Sequence, residues 1–412
     1  MNETLKQVVI VGGGPAGLAA AVALYDMGIK DLLIIEREKK LGGILRQCIH
    51  DGFGMTRFKE SLSGPEYADR FIQEVKKRKI PYITETTVLE ITNEHVIRAA
   101  SKEGLHTWKA DGVVLSMGCR ERTRGALQIP GERPAGVYTA GVAQSYINLY
   151  NTMVGKNVVI LGSGDIGLIM ARRLTLEGAK VEGVFEILPY PSGLERNVEQ
   201  CLNDFEIPLH LSRTVTKIHG GKRLEGVTVS EVDENMEMIP GTEKYYPCDT
   251  LVLSVGLIPE NELSKMAGVE LDPRTKGPVV DTNYQTTIPG IFAAGNVLHV
   301  HDLVDYVSLE AERLVKGVVA YLNSEDEKKT LIDVNLGDGL TYVLPQKIAL
   351  NQEAVISMRV KRPQENIRIL VRQEGKIINS KCIEEALPAE MIQITLDADS
   401  LWSNKALEVS VG

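Results

Sequence analysis

Two stretches decide the fold: Gln7-Val8-Val9-Ile10-Val11-Gly12-Gly13-Gly14-Pro15-Ala16-Gly17 and Asn157-Val158-Val159-Ile160-Leu161-Gly162-Ser163-Gly164-Asp165-Ile166-Gly167. Each is a β-branched apolar run that ends on Gly-x-Gly-x-x-Gly and passes into a helical pattern. A second short strand follows, Asp31–Ile35 in the first copy and Lys180–Phe185 in the second, and each closes on an acid, Glu36 and Glu186, at the same spacing from its first glycine. Gly12 and Gly162 permit the tight turn off the strand, while Gly14 and Gly164 let backbone approach a pyrophosphate. Gly17 and Gly167 let helix and strand pack closely. The helix openings, Pro15-Ala16 and Asp165-Ile166, leave unpaired N–H groups at the positive dipole end, where phosphates bind. Glu36 and Glu186 are placed to accept hydrogen bonds from adenosine ribose hydroxyls. One such motif is weak; two in complete β-α-β-acid contexts predict two dinucleotide sites on one chain.

A chain of 412 residues has room for two or three domains, and its net charge of −9 disfavours nucleic acid as a main partner. The apolar run 8–24 is broken by Gly12-Gly13-Gly14-Pro15, where a membrane span needs continuity, and Met1–Lys6 runs straight into a strand without a signal-peptide pattern. A cytoplasmic protein is expected. The five cysteines, Cys48, Cys119, Cys201, Cys248 and Cys382, stand far apart with no CxxC pair. They read as intracellular thiols, and neither a disulfide framework nor a zinc or iron–sulfur site is legible.

The strand Asp111–Ser116 exits through Met117-Gly118-Cys119-Arg120, and Asp249–Ser254 echoes it, exiting through Val255-Gly256-Leu257. These similar exits flank the second fingerprint, so the second nucleotide domain is expected as an insertion in the first. The expected boundaries are 1–118 with 250–328 for the split first domain and 119–249 for the inserted one. The residues expected beyond the nucleotide domains, 329–412, alternate or run β-rich between turns and predict a small all-β domain, a sandwich. The fold class is therefore α/β, two Rossmann-like domains with the second inserted in the first, plus a small C-terminal all-β domain. A helix is expected over 65–79 and another from about Asp305 to Leu322, with a polar linker at 323–330.

Gly12-Gly13-Gly14-Pro15-Ala16-Gly17, Glu36, Gly42-Gly43, the 111–120 exit, the second fingerprint and Gly290-Ile291-Phe292-Ala293-Ala294-Gly295 together resemble the two-dinucleotide-binding-domain flavoproteins of the pyridine nucleotide-disulfide oxidoreductase superfamily. Within that group Pro134–Gly141 and Ile187–Leu194 look most like the FAD subunits of opine oxidase and hydrogen cyanide synthase. Cys48–Gly54 with Gly64–Ala68 looks like the flavoprotein associated with glycerol-3-phosphate dehydrogenase. The resemblance implies FAD at the first fingerprint, with Glu36, Arg37, Gly42, Gly43, Gly118, Gly295 and Asn296 lining it. It implies a nicotinamide cofactor at the second, with Gly256 at the crossing back. It further implies rotation of the nicotinamide domain on its two crossing segments, with Gly118 and Gly256 as hinges, and a helix near Asp305 aimed at the flavin. The chain departs from the pattern by lacking a redox cysteine pair near Ala140–Gln144 or after the Gly-Gly turn, and by carrying Asn296 where the usual residue is Asp.

Hydride transfer from nicotinamide to flavin needs no protein nucleophile. Cys48 and His50, following the Gly-Gly turn, are the candidates for chemistry beyond it: a redox thiol and a proton relay, or a packed cysteine and a structural histidine. His299 and His301, with Asp302, lack a further ligand cluster and read as a loop at the flavin rim, so no metal is expected. Arg120, Arg122 and Arg124 read equally as phosphate contacts or a solvated charge run. With no arginine cluster after Glu186, NAD(H) is expected in preference to NADP(H). The expected activity is FAD-dependent electron transfer with NAD(H), as a subunit partnered by a dehydrogenase or electron-acceptor protein. A self-contained NADH oxidase or peroxide/thiol reductase using Cys48 is the alternative, a non-catalytic nucleotide-binding assembly protein the third. Whether the chain forms a homo-oligomer stays open.

Overall fold

The computed structural model describes residues 3–324 and 329–412, so residues 325–328 of the expected polar linker lie outside the described residues. The chain forms two compact units, Met1–Cys119 with Pro259–Gly412, and Arg120–Ile258.

In the first unit the strand Thr4–Val11 pairs in parallel with Leu32–Ile35 on one side and Gly104–Leu115 on the other. Its last four residues are buried, as is all of Leu32–Ile35. Such continuous apolar runs mark strands covered on both faces. Gly104–Leu115 changes partner along its free edge: its start pairs antiparallel with Val96–Ser101, and its end pairs in parallel with Ile291–Ala293. That late strand returns the chain to the first fingerprint. Helices Pro15–Asp26 and Val304–Leu322 pack together, and Ile10, Leu18, Leu32, Phe292 and Leu314 share one core. The helix expected over 65–79 runs Gly64–Lys77.

The second unit holds a parallel sheet in the order Leu209–His210, Lys180–Phe185, Asn157–Leu161, Thr250–Leu253, Val137–Thr139. A three-stranded antiparallel sheet accompanies it. Here the boundary expected at 250 is corrected. Thr250–Leu253 is fully buried between Asn157–Leu161 and Val137–Thr139, so residues 250–258 belong to the inserted unit. Three apolar residues and Thr250, flanked by parallel neighbours, bury more surface there than at a sheet edge. The two crossings, Cys119–Glu121 and Leu257–Pro259, form a two-stranded ribbon.

The C-terminal residues of the first unit form an all-β domain of two sheets. One is ordered Lys347–Ala349, Leu331–Leu336, Leu407–Val411, Gln364–Gln373, Lys376–Ala386; the other is Leu340–Leu344, Ala354–Val360, Ile392–Leu396. Ile332, Ile356, Met358, Val371, Leu396 and Val409 fill one core. Leu331–Leu336 is a further strand of this domain, and the segment 340–349 divides at Pro345 into strands of different sheets.

Candidate functional site

Gly12 has φ +110°, and a Cβ there would lie 2.4 Å from the Ser116 carbonyl oxygen. Gly17 is tighter still, because its Cβ would fall 1.9 Å from the Gly12 oxygen. Gly14 is different in kind. The nearest atom to a Cβ there is Gly43 Cα at 3.9 Å, so this glycine leaves an open approach to bare backbone. The helix opened by Pro15 and Ala16 has no side-chain cap, and its first-turn N–H groups remain for an anion.

The Gly42-Gly43 turn is fastened to this cradle by Gly42 N–H donating to the Gly13 oxygen at 2.8 Å. Glu36 is buried, with Oε2 accepting from Gly13 N–H at 2.7 Å and Oε1 from Glu38 N–H at 2.8 Å. Each carboxylate oxygen retains a further lone pair for a ribose hydroxyl. Arg37 is exposed at its side. Gly295 also arrives here: a Cβ on it would lie 2.9 Å from the Ala16 Cβ. An uncapped helix start, an open glycine and a buried acid with spare acceptor capacity fit the diphosphate and ribose of an adenine dinucleotide.

Asn296 turns its amide into the protein. Its Oδ1 accepts from the His301 backbone N–H at 3.0 Å and lies 3.1 Å from His301 Nδ1, while Nδ2 faces Cys119 Sγ at 3.5 Å. The amide can donate toward the sulfur, which a carboxylate cannot. His299 joins a second group: its Nε2 lies 2.9 Å from Glu310 Oε2 and its Nδ1 3.1 Å from the Tyr342 hydroxyl. Glu310 Oε1 accepts from Gly295 N–H at 2.7 Å. Burial pushes His299 below the usual histidine range. Burial alone would raise Glu310, but positive charge on His301 and His299, when they are protonated, holds it well below the carboxylate range.

Glu310 and Tyr342 are functional candidates missed in the sequence, since a helix turn and a distant strand supply them. Asp302, the acid named beside the histidines, instead pairs with Arg359 at 3.3 Å. Asp305 occupies the helix end that the resemblance aims at the flavin, and its carboxylate accepts from the N–H groups of Gly54, Thr56 and Arg57 at 3.0, 3.1 and 2.6 Å.

Cys48 Sγ lies 3.4 Å from the Ile44 oxygen, and burial pushes its thiol up to about 12. His50 packs on Phe53 with ring centroids 4.9 Å apart. Gly118 has φ +74°, and its oxygen accepts from Glu260 N–H.

In the second unit Gly162 and Gly167 are equally confined, their Cβ atoms falling 2.2 Å from the Ser254 oxygen and 2.5 Å from the Ser254 Cβ. Gly164 opens the helix Asp165–Leu176 without a side-chain cap, and Ile166 lies in its first turn. Asp165 turns away, accepting from Leu194 N–H at 2.8 Å and Asn197 Nδ2 at 2.7 Å. Glu186 is held by Ser163, Ser192 and the Leu188 N–H. Arg213, which carries no motif in the sequence, donates its backbone N–H to the Glu186 backbone carbonyl; its guanidinium pairs with Glu231 at 2.8 Å. Gly256, φ +96°, accepts from Arg122 N–H through its oxygen. Arg124 resolves to a structural role, its guanidinium donating to the carbonyls of Ile129, Gly131 and Glu132.

Comparison with known proteins matches residues 6–314 to the pyridine nucleotide-disulphide oxidoreductase family. The glutamate synthase [NADPH] small chain of Escherichia coli (strain K12) is 27% identical over 355 residues, covering 78% of this chain and 70% of that one. An opine oxidase subunit of Agrobacterium tumefaciens (strain Ach5) is 24% identical over 311 residues, covering 70% of this chain and 60% of its own length. Among solved structures, T. acidophilum thioredoxin reductase superposes with a TM-score of 0.64 at 25% identity, covering 79% of this chain and 100% of that one.

Proposed function

The chain belongs to the pyridine nucleotide-disulphide oxidoreductase family and is an FAD-containing, NAD(P)H-linked oxidoreductase, and from that premise we propose that it passes electrons between NAD(H) and bound FAD as one subunit of a dehydrogenase complex, of the glycerol-3-phosphate or amine/opine type. The observation that carries this reading is a pair of uncapped glycine-rich helix starts, each beside a buried acid, in a chain whose five cysteines stand far apart in the sequence. A thiol relay needs two neighbouring sulfurs; a nicotinamide-to-flavin path needs none.

When bound, FAD supplies the hydride chemistry. The protein's part is placement. The N–H groups after Gly14 hold the diphosphate, and Glu36 and Arg37 meet the adenosine end. Gly43 and Gly295, both beside the Gly14–Ala16 helix start, would help hold the cofactor. In the second unit the N–H groups after Gly164, with Ile166 in that turn, hold the nicotinamide dinucleotide, and Glu186 takes the ribose. That acid repels a 2′-phosphate, and Arg213 is already paired with Glu231, which supports NADH over NADPH. Gly118 and Gly256, both at positive φ beside the crossings, serve as hinges between binding and transfer. Among the described residues no helix is long and apolar enough to cross a membrane.

Substrate oxidation then belongs to a partner protein, as the subunit character of the two relatives supports. A self-contained oxidase or thiol reductase acting through Cys48 is the weaker reading, because burial holds that thiol protonated. The test is an anaerobic NADH and NADPH titration of the purified flavoprotein, followed by an acceptor panel with and without co-purifying proteins. Flavin bleaching by NADH, with turnover only when the partner is present, is expected. Turnover of oxygen or peroxide by the isolated chain would favour Cys48 chemistry, and a flavin that NADH does not bleach would make the site non-catalytic.

A further inference from the structure

Asn296 fixes which nitrogen of His301 carries the proton. The His301 backbone N–H can only donate, so the Asn296 atom it meets at 3.0 Å is the carbonyl oxygen, and Nδ2 is left facing Cys119 Sγ. The same oxygen lies 3.1 Å from His301 Nδ1, which therefore bears the hydrogen. The Nε2 lone pair of the neutral ring is then directed elsewhere. It lies 3.4 Å from Glu310 Oε2, an atom that also only accepts, and among the described residues it makes no hydrogen bond. The two side chains are 1% and 3% exposed. Two acceptors facing each other in a buried place are unfavourable unless something positive lies between them.

His299 completes the geometry. Its Nε2 is 2.9 Å from the same Glu310 oxygen, and its ring centroid is 4.2 Å from that of His301. One ligand atom from each of the three residues lies within 4.8 Å of the others. An ion about 2.1 Å from each ligand atom sets ligand–ligand separations of roughly 3.0–3.4 Å for octahedral or tetrahedral edges. The Glu310–histidine separations, 2.9 and 3.4 Å, lie close to that span, and the third, between the two histidine nitrogens, is within 4.8 Å. Each imidazole is also backed at Nδ1, by Asn296 and by Tyr342, in the manner that orients metal-bound histidines.

We propose that His299, His301 and Glu310 form a buried site for a divalent first-row transition metal ion of the zinc or ferrous-iron class, tying the Gly295–Asp302 loop to the helix Val304–Leu322. Two imidazoles and a carboxylate are the ligand set such ions take, and alkaline-earth ions would favour oxygen donors. Tyr342 comes from the C-terminal β domain, so the ion also links that domain to the loop beside Gly295. The site does not depend on which cofactor the fingerprints hold.

The test is metal analysis of the purified full-length flavoprotein by inductively coupled plasma mass spectrometry, before and after anaerobic reconstitution with Zn(II), Fe(II) or Mn(II). About one equivalent per chain is expected, falling to background in His301→Ala and in Glu310→Gln. X-ray absorption at the metal edge of the unaltered protein supplies a readout that survives any folding defect in those variants: two imidazoles and an oxygen at about 2.0–2.2 Å are expected. A reconstituted protein holding less than about a tenth of an equivalent would overturn the proposal and leave a proton on His301 as the bridging charge. Undiminished metal in both variants, or an absorption spectrum without imidazole scattering, would overturn it equally.

Discussion

Ser163 grips Glu186 twice, through its backbone N–H at 2.9 Å and its hydroxyl at 2.5 Å, both to Oε2. Ser192 adds a third donor to the same oxygen at 2.9 Å. In the first fingerprint, among the described residues, Glu36 Oε2 takes Gly13 N–H alone. The two acids therefore differ: Glu186 is a clamp for its own loop, with spare acceptor capacity mainly at Oε1, while Glu36 keeps both oxygens partly open. Glu186→Ala is expected to raise the NADH dissociation constant about tenfold or more, a loss of about 1.4 kcal/mol, with flavin content unchanged. Ser163→Ala leaves the acid and is expected to cost threefold or so. Anaerobic titration of both variants checks this, and a parent protein that binds NADPH as tightly as NADH would contradict the assignment of Glu186.

Gly17 and Gly167 report on the two sites separately. A methyl group at Gly17 would fall 1.9 Å from the Gly12 oxygen, and one at Gly167 would fall 2.5 Å from Ser254 Cβ. Either helix must move off its strand, a strain on the order of 1–3 kcal/mol that displaces the phosphate-binding N–H groups. Gly17→Ala is expected to purify with little flavin. Gly167→Ala should keep its flavin and lose bleaching by NADH. Absorbance at the flavin band and an NADH titration read both. Wild-type flavin content in Gly17→Ala would place the flavin elsewhere.

Cys48 and Cys382 differ in burial and so in reactivity. Burial pushes the Cys48 thiol up to about 12, and the sign is that of a group whose charged form is disfavoured. At pH 8 the thiolate fraction at Cys48 is then on the order of one in ten thousand. Cys382 is exposed. Iodoacetamide followed by peptide mapping is expected to label Cys382 first and to leave Cys48 intact until denaturant is added. Cys48→Ser should leave NADH–acceptor turnover within twofold or so. Rapid native labelling of Cys48, or loss of turnover in the serine variant, would revive thiol chemistry.

The features legible in the sequence are those with a local signature. A β-branched run ending on Gly12 or Gly162 and an acid at fixed spacing are both written within a few dozen residues. The strand Thr250–Leu253 falls to the wrong domain on sequence because its apolar run matches that of Val113–Leu115, and burial on both faces looks the same in either sheet. The contacts without a sequence signal join residues far apart in the chain. Asp305 holds the Gly54–Arg57 loop, and Tyr342 reaches His299 from another domain, with no periodicity to announce either contact. Glu310 sits on a helix whose apolar pattern gives no sign that its buried positions include two acids, Asp305 and Glu310. Its partners become visible only when Gly295 and both histidines are brought over it.

Arg359 fastens the C-terminal β domain to the loop that leaves Gly295. Its guanidinium donates to the Val300 oxygen at 3.2 Å and to Asp302 Oδ1 at 3.3 Å, and it also reaches the Pro388 and Ala389 carbonyls. The side chains of Arg359 and Asp302 are 15% and 7% exposed, so the pair is screened little by solvent. Removing the cation strands a buried carboxylate and several carbonyls at once. Arg359→Ala is expected to cost about 3 kcal/mol, against about 1 kcal/mol or less for an exposed pair such as Lys347–Asp333. Urea unfolding followed by both tryptophan and flavin fluorescence measures this. Because the loop that Arg359 holds continues back to Asn296 and Gly295, the flavin signal should be lost at a lower urea concentration than in the parent protein. If the domain fluorescence shifts while the flavin signal keeps its midpoint, the β domain is anchored by this arginine without supporting the cofactor cradle.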